Sequence, residues 1–195
     1  WRMEKASRKN TKEMKQPTIE QLHHRFIELG YKWFPFHVVA IRSKANVPNK
    51  FDDLIGFVAN DTVTWHSGTT NAGTYHLNNP SRVEGTAMLK EGQYIDAWQL
   101  GKHKGVYDAL TQAKSVTVYR DGDKDSISEV TNVTENGYFG INWHRANENA
   151  ISQNVDKWSA GCMVQNDPKQ YDTFIKACSE SGNIYFTGTI LNEWL

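Results

Sequence analysis

Two segments of this 195-residue chain carry residue types that can do covalent chemistry together. One is Gly140-Ile141-Asn142-Trp143-His144-Arg145; the other is Trp158-Ser159-Ala160-Gly161-Cys162. A thiol becomes a good nucleophile when an imidazole takes its proton. Glycine beside a nucleophile lets backbone N–H groups turn toward a developing oxyanion. Cys162, His144 and Gly161 thus offer a nucleophile, a base and an oxyanion hole. Alternation along an extended segment puts Phe139, Ile141 and Trp143 on one face and Gly140, Asn142 and His144 on the other. His144 is therefore expected to point away from the apolar set, toward solvent or a cleft. The second cysteine, Cys178, shares a helix face with Tyr171 and Phe174 and reads as a small core hydrophobe.

The elements that must hold these residues are mostly short strands. Tyr138–His144 and Cys162–Gln165 read as extended. So do Phe36–Ile41, Gly92–Trp98, Ser115–Tyr119 and Ile184–Thr189, while Leu54–Ala59 and Thr62–Trp65 form a hairpin across Asn60-Asp61. Val106–Gln112 has a short helical pattern. Pro168 starts a helix carrying Tyr171, Phe174, Ile175 and Cys178. Near the N-terminus, Thr18 and Gln21 make a capping box, Ile19, Leu22, Phe26 and Leu29 recur at helical spacing, and Gly30 ends the run. His23 and His24 are neighbours on that helix, so they diverge around it and read as surface residues. Residues 1–16 are polar, Lys-rich and expected to be loose. The expectation is a mostly β, α+β fold: a sandwich or barrel with one or two packed helices and an N-terminal helix.

Other chemistries fit less well. A sortase also places a His before the Cys, and His103 lies upstream of Cys162, but that chemistry needs an Arg after the Cys and none occurs after Arg145. Papain-like wall amidases place Cys before His, and no His follows Cys162. The seven histidines show no His-Glu-x-x-His spacing, which leaves only a zinc site gathered in space. Asp121, Asp123 and Asp125, with Glu129 beyond, alternate as hard-cation ligands do, yet Ser126 and Asn132 stand where a calcium loop wants Gly and Glu. The plainer reading is a solvated turn opened by Asp-Gly. No metal and no cofactor is expected.

His144 and the turn Ser159-x-Gly161-Cys162, with 17 residues between the histidine and the cysteine, resemble the catalytic domain of the L,D-transpeptidase family. Thr70-Asn71-Ala72-Gly73-Thr74-Tyr75 is similar to the Thr-Pro-x-Gly-Thr-Phe/Tyr segment upstream in that family. The motifs span residues 70–164, and the implied catalytic domain runs over 36–195, behind an N-terminal segment and helix at 1–35. The resemblance implies a β-sandwich-like domain acting on the stem peptides of peptidoglycan. By it, Cys162 attacks the carbonyl of the third residue, and His144 takes and returns the proton. The carbonyl of Arg145 holds the imidazole, and the N–H groups of Gly161 and Cys162 bind the oxyanion. The acyl-enzyme then passes to an amine or to water, giving transpeptidase, carboxypeptidase or endopeptidase activity. Ser159 belongs to the catalytic turn, and Thr70, Gly73 and Tyr75 to the upstream segment. Trp158, in the loop before Cys162, is a candidate to line the cleft. His66 and His76 flank the upstream segment, and His76 is taken as the candidate substrate contact.

Three positions depart from the family pattern: Ala160 for its His, Val164 for its Arg or Asn, and Asn71 for its Pro. Those departures fit a divergent hydrolase, such as a phage-borne or toxin-associated wall-degrading enzyme. Ala160 and Val164, standing where polar residues are expected, motivate the alternative of an inactive peptidoglycan-binding or virion module on the same scaffold.

Composition bounds the reading. Twenty-two basic residues balance 22 acidic ones, which argues against nucleic acid as the main partner. No apolar run approaches the ~18 residues of a membrane span. No signal core is seen at the N-terminus, so the expected site of action, the bacterial wall or periplasm, would be reached by lysis, virion or secretion system.

Overall fold

The computed structural model describes residues 14–195. In chain order the elements are α1 (Ile19–Glu28), β1 (Phe36–Arg42), β2 (Asp53–Ala59), β3 (Thr62–Thr69), α2 (Thr74–Asn78), β4 (Thr86–Leu89), β5 (Gly92–His103) and β6 (Tyr107–Gln112). They continue with β7 (Val116–Asp121), β8 (Thr134–Gly137), β9 (Trp143–Arg145), β10 (Met163–Gln165), α3 (Pro168–Glu180) and β11 (Tyr185–Asn192). Eight strands close a barrel in the order β1-β11-β5-β6-β9-β10-β3-β2, and β4-β7-β8 form a separate sheet. The β1/β11 and β9/β10 pairs are parallel. The fold is mostly β with helical additions, as the sequence leads one to expect. The reading of residues 1–16 as loose lies, up to residue 13, outside the described residues.

β1 explains its own unbroken apolar run. Val38 and Ala40 join the main core, whereas Val39 and Ile41 face a second cluster completed by Leu22 and Phe26 of α1. A strand buried on both faces has no polar alternation to show. The capping box that opens α1 is present, with Thr18 Oγ1 accepting from the Gln21 N–H and Gln21 Oε1 from the Thr18 N–H. His23 and His24 are exposed, as their divergence predicts. In the main core Trp98 and Trp143 meet edge to face at 5.7 Å, and α3 adds Tyr171, Phe174 and the buried Cys178.

Three expectations are corrected. Val106–Gln112 is not helical: Tyr107–Gln112 is β6, the return strand of a hairpin with β5, turned through Lys104 and Gly105 at positive φ. Pairing with β5 overrides the local helical spacing. Tyr138–His144 is not a continuous strand either. Gly140 at φ +72 breaks it, and only Trp143–Arg145 is regular. The backbone before β9 is satisfied instead by the Gln112 side chain, whose Oε1 accepts the N–H groups of Phe139 and Ile141 at 3.0 and 3.1 Å. The Asp121–Asp125 turn is not a tight hairpin, because the antiparallel β7 and β8 are joined by a long loop over 122–133.

Candidate active site

The register of β9 and β10 brings the two chemical segments together. Met163 pairs with Trp143 and Val164 with His144, and the Met163 N–H donates to the Asn142 carbonyl at 3.0 Å. Met163 and Trp143 point into the core. By alternation, Cys162 and His144 then project from the other side of neighbouring strands, about 5 Å apart across the sheet and two residues out of step along it. Cys162 is partly exposed. Its Sγ accepts the Asn142 N–H at 3.4 Å and lies 3.5 Å from the Gly140 carbonyl.

His144 lies opposite the apolar set, as its strand position predicts, but it does not reach solvent: it is 3% exposed. Two groups stand against it. The His103 ring stacks on it with centroids 3.9 Å apart and the Tyr107 hydroxyl stands 3.2 Å from Nδ1, with the Arg145 guanidinium in turn over the Tyr107 ring. Nδ1 makes its shortest contact, 2.8 Å, with the Arg145 carbonyl, which also accepts the Tyr107 hydroxyl at 3.1 Å. A carbonyl only accepts, so the neutral ring carries its proton on Nδ1 and leaves the Nε2 lone pair free. Burial, reinforced by His103, pushes the His144 pKa down to about 3. Burial pushes the Cys162 thiol up to about 11, against a smaller opposing pull from the Asn142 N–H. The resting pair is thus neutral thiol and neutral imidazole, not thiolate and imidazolium.

The turn before Cys162 is pinned from inside. Ser159 is fully buried, donates its hydroxyl to the Cys162 carbonyl at 2.9 Å and accepts the Gly161 N–H at 3.1 Å. That bond corrects the expectation for Gly161, whose N–H is already engaged and is not open to an oxyanion. The Cys162 N–H makes no hydrogen bond among the described residues, so the backbone donor at the nucleophile itself is free. Gly161 sits at φ +119, and a Cβ there would strike the Ala87 carbonyl, so no other residue fits.

The upstream segment divides between structure and surface. Thr70 is fully buried: its N–H and hydroxyl both donate to the Asp53 carboxylate, and its Oγ1 accepts from Arg42 Nε at 3.0 Å. It braces a buried ion network and has no surface to offer a substrate, which corrects its candidate role. Gly73 is also structural. Its N–H donates to the Ser159 carbonyl at 3.0 Å, and a Cβ would collide with the Asp156 backbone. Tyr75 and Trp158 are exposed, with Lys157 Nζ 4.4 Å over the Tyr75 ring. His76 lines a cleft of about 350 Å³ together with Arg82, Ala87, Arg120, Phe139 and Ala160. His66 is buried, with Nδ1 2.9 Å from Gln165 Oε1, and does not face that cleft.

Asp123, Asp125 and Glu129 gather on the loop after β7, the one group of three or more ligand-type side chains close enough to share a metal ion among the described residues. Asp121 does not join them; its Oδ2 accepts the Glu129 N–H at 2.9 Å. His103 and Tyr107, the groups that shape His144, carry a signal only when β5 and β6 are read as a hairpin. Arg82 and Arg120 carry none in sequence.

Compared with family models, with curated proteins and with solved structures, the chain matches none.

Proposed function

We propose that the chain is a cysteine-dependent acyl-transfer enzyme of the L,D-transpeptidase type, acting on peptidoglycan stem peptides as a transpeptidase or a hydrolase. The observation that carries this reading is the placing of a partly exposed Cys162, on a Ser159-braced turn leading into β10, beside the neighbouring strand β9, which carries a buried His144 whose Nδ1 is held by the Arg145 carbonyl. Attack by Sγ on a peptide carbonyl passes the thiol proton to Nε2 of His144. The tetrahedral oxyanion meets the free Cys162 N–H. Collapse expels the leaving amine, which takes the proton back from Nε2. An acceptor amine or water then releases the acyl group by the reverse route. Because both partners rest neutral, proton transfer accompanies attack rather than preceding it.

A second reading, a module that binds peptidoglycan without turning it over, is favoured by the contacts of the thiol: Sγ lies against the Asn142 N–H and the Gly140 carbonyl, and burial pushes it up to about 11. Mass spectrometry of defined muropeptides incubated with wild type and with Cys162→Ala separates the two. Loss of a terminal D-amino acid, its exchange for an amine, or cleavage of a cross-link, each confined to wild type, supports the enzyme. Unchanged masses with retained binding support the module.

A further inference from the structure

The cleft lined by His76, Arg82, Arg120, Phe139 and Ala160 touches the Cys162 turn at Ala160 and the segment before β9 at Phe139. Ala160 stands two residues before the nucleophile, and Phe139 precedes Gly140, whose carbonyl lies 3.5 Å from Sγ. The lining contains two guanidinium groups and an imidazole but no carboxylate. Glu135 lies outside it and pairs with both arginines, so one negative charge answers two positive ones. Arg120 is buried and fixed, with Nε donating to Glu135 at 2.8 Å and its guanidinium 4.7 Å over the Phe139 ring. Arg82 is half-exposed, and both its bonds to Glu135 leave from Nη1. Its Nε and Nη2 have no protein partner among the described residues and remain for a ligand.

From this we infer that the cleft is a carboxylate subsite, in which Arg82, backed by Arg120, receives the terminal carboxylate of the residue expelled from the attacked carbonyl. Ala160 contributes by being small: a larger side chain there would project into the cleft. The positive charge comes from β7, through Arg120, and from the loop before β4, through Arg82. The inference rests on the acyl-transfer reading for its choice of ligand, yet it can be tested without turnover.

The experiment uses full-length Cys162→Ala protein, with affinity for a stem tetrapeptide measured by calorimetry. One peptide ends in a free carboxylate and the other in the carboxamide. The acid is expected to bind about 10- to 100-fold more tightly than the amide, the range of a hydrogen bond to a charged group. Arg82→Gln, at a half-exposed position, is expected to remove most of that preference and leave amide binding unchanged. Equal affinities for acid and amide, a preference that survives Arg82→Gln, or no binding of either peptide would each overturn the inference. The muropeptide assay with wild type reads the catalytic proposal separately. Turnover without carboxylate preference sinks the subsite alone, and carboxylate preference without turnover sinks the enzyme alone.

Discussion

The imidazole of His103 lies face to face on that of His144, with centroids 3.9 Å apart and planes 20° from parallel. Two stacked imidazoles cannot both be protonated cheaply, and the stack also shuts water away from His144. Removing His103 therefore relieves both causes of the depressed value. In His103→Ala the His144 pKa is expected to rise from about 3 toward the ordinary 6.5, read by NMR titration of the ring protons. In turnover the acid limb of the pH profile should move up with it. A His144 titration that stays near 3 in the variant would show that burial alone sets the value.

A second prediction concerns acid stability. His37 is fully buried against Phe26 and Trp33, with Nδ1 2.9 Å from the Phe34 carbonyl and Nε2 unpartnered. Burial pushes its pKa down to about 4. Between pH 6.5 and 4 the unfolded chain binds the proton and the folded one does not. Stability is then complete above 6.5 and falls as pH drops toward 4, by about 3 kcal/mol from this group. His144 adds a further loss over the same range and down to about 3. His37→Phe, which suits the aromatic surroundings, should flatten the slope of urea-unfolding free energy between pH 6 and 4. An unchanged slope would place the acid sensitivity elsewhere.

Thr70 supplies a third. Its hydroxyl sits between the Asp53 carboxylate at 2.7 Å and Arg42 Nε at 3.0 Å, all of them buried. Thr70→Val keeps the shape and strands one bond on each ion. The cost should be about 2–4 kcal/mol of unfolding free energy, with peptide affinity unchanged. Lost affinity at full stability would return Thr70 to the substrate site.

Gly161 supplies a fourth. Gly161→Ala puts a Cβ into the Ala87 carbonyl from a backbone at φ +119. The turn must shift, at about 2–4 kcal/mol, and Cys162 moves with it. Thermal unfolding and alkylation of Cys162 should both change. A variant as stable as wild type would mean the turn is less constrained than its contacts imply.

How much of this was legible in the sequence depends on whether the signal is local. The α1 capping box, the β2–β3 hairpin and Pro168 at the start of α3 are written in neighbouring residues, and they lie where they are read. So are His144 and the Ser159–Cys162 turn, because strand alternation and a glycine beside a cysteine are short-range patterns. What was not legible is set by register. His103 and Tyr107 reach His144 only through the β5–β6 pairing and the β6–β9 ladder, whose one register pair is Leu110 with Trp143. The broken strand before β9 depends on one distant side chain, Gln112. Thr70 looks like a surface motif residue until Arg42 and Asp53 arrive from two other strands.

The last prediction separates a poised thiolate from a masked thiol. An imidazolium partner would make Cys162 label rapidly at neutral pH and below. The structure places the thiol at about 11 and His144 at about 3, with Sγ against the Asn142 N–H and the Gly140 carbonyl. At pH 7 a thiol of that pKa is ionised in about one molecule in ten thousand, against about one in thirty for free cysteine. Iodoacetamide should therefore alkylate Cys162 more slowly than free cysteine at pH 7, with a rate that climbs through pH 9 and 10. His144→Ala should change that profile little, since the imidazole is not what ionises the resting thiol. Fast labelling at pH 6 that disappears in His144→Ala would establish a preformed ion pair, and the coupled proton transfer proposed for attack would have to be replaced by attack from a standing thiolate.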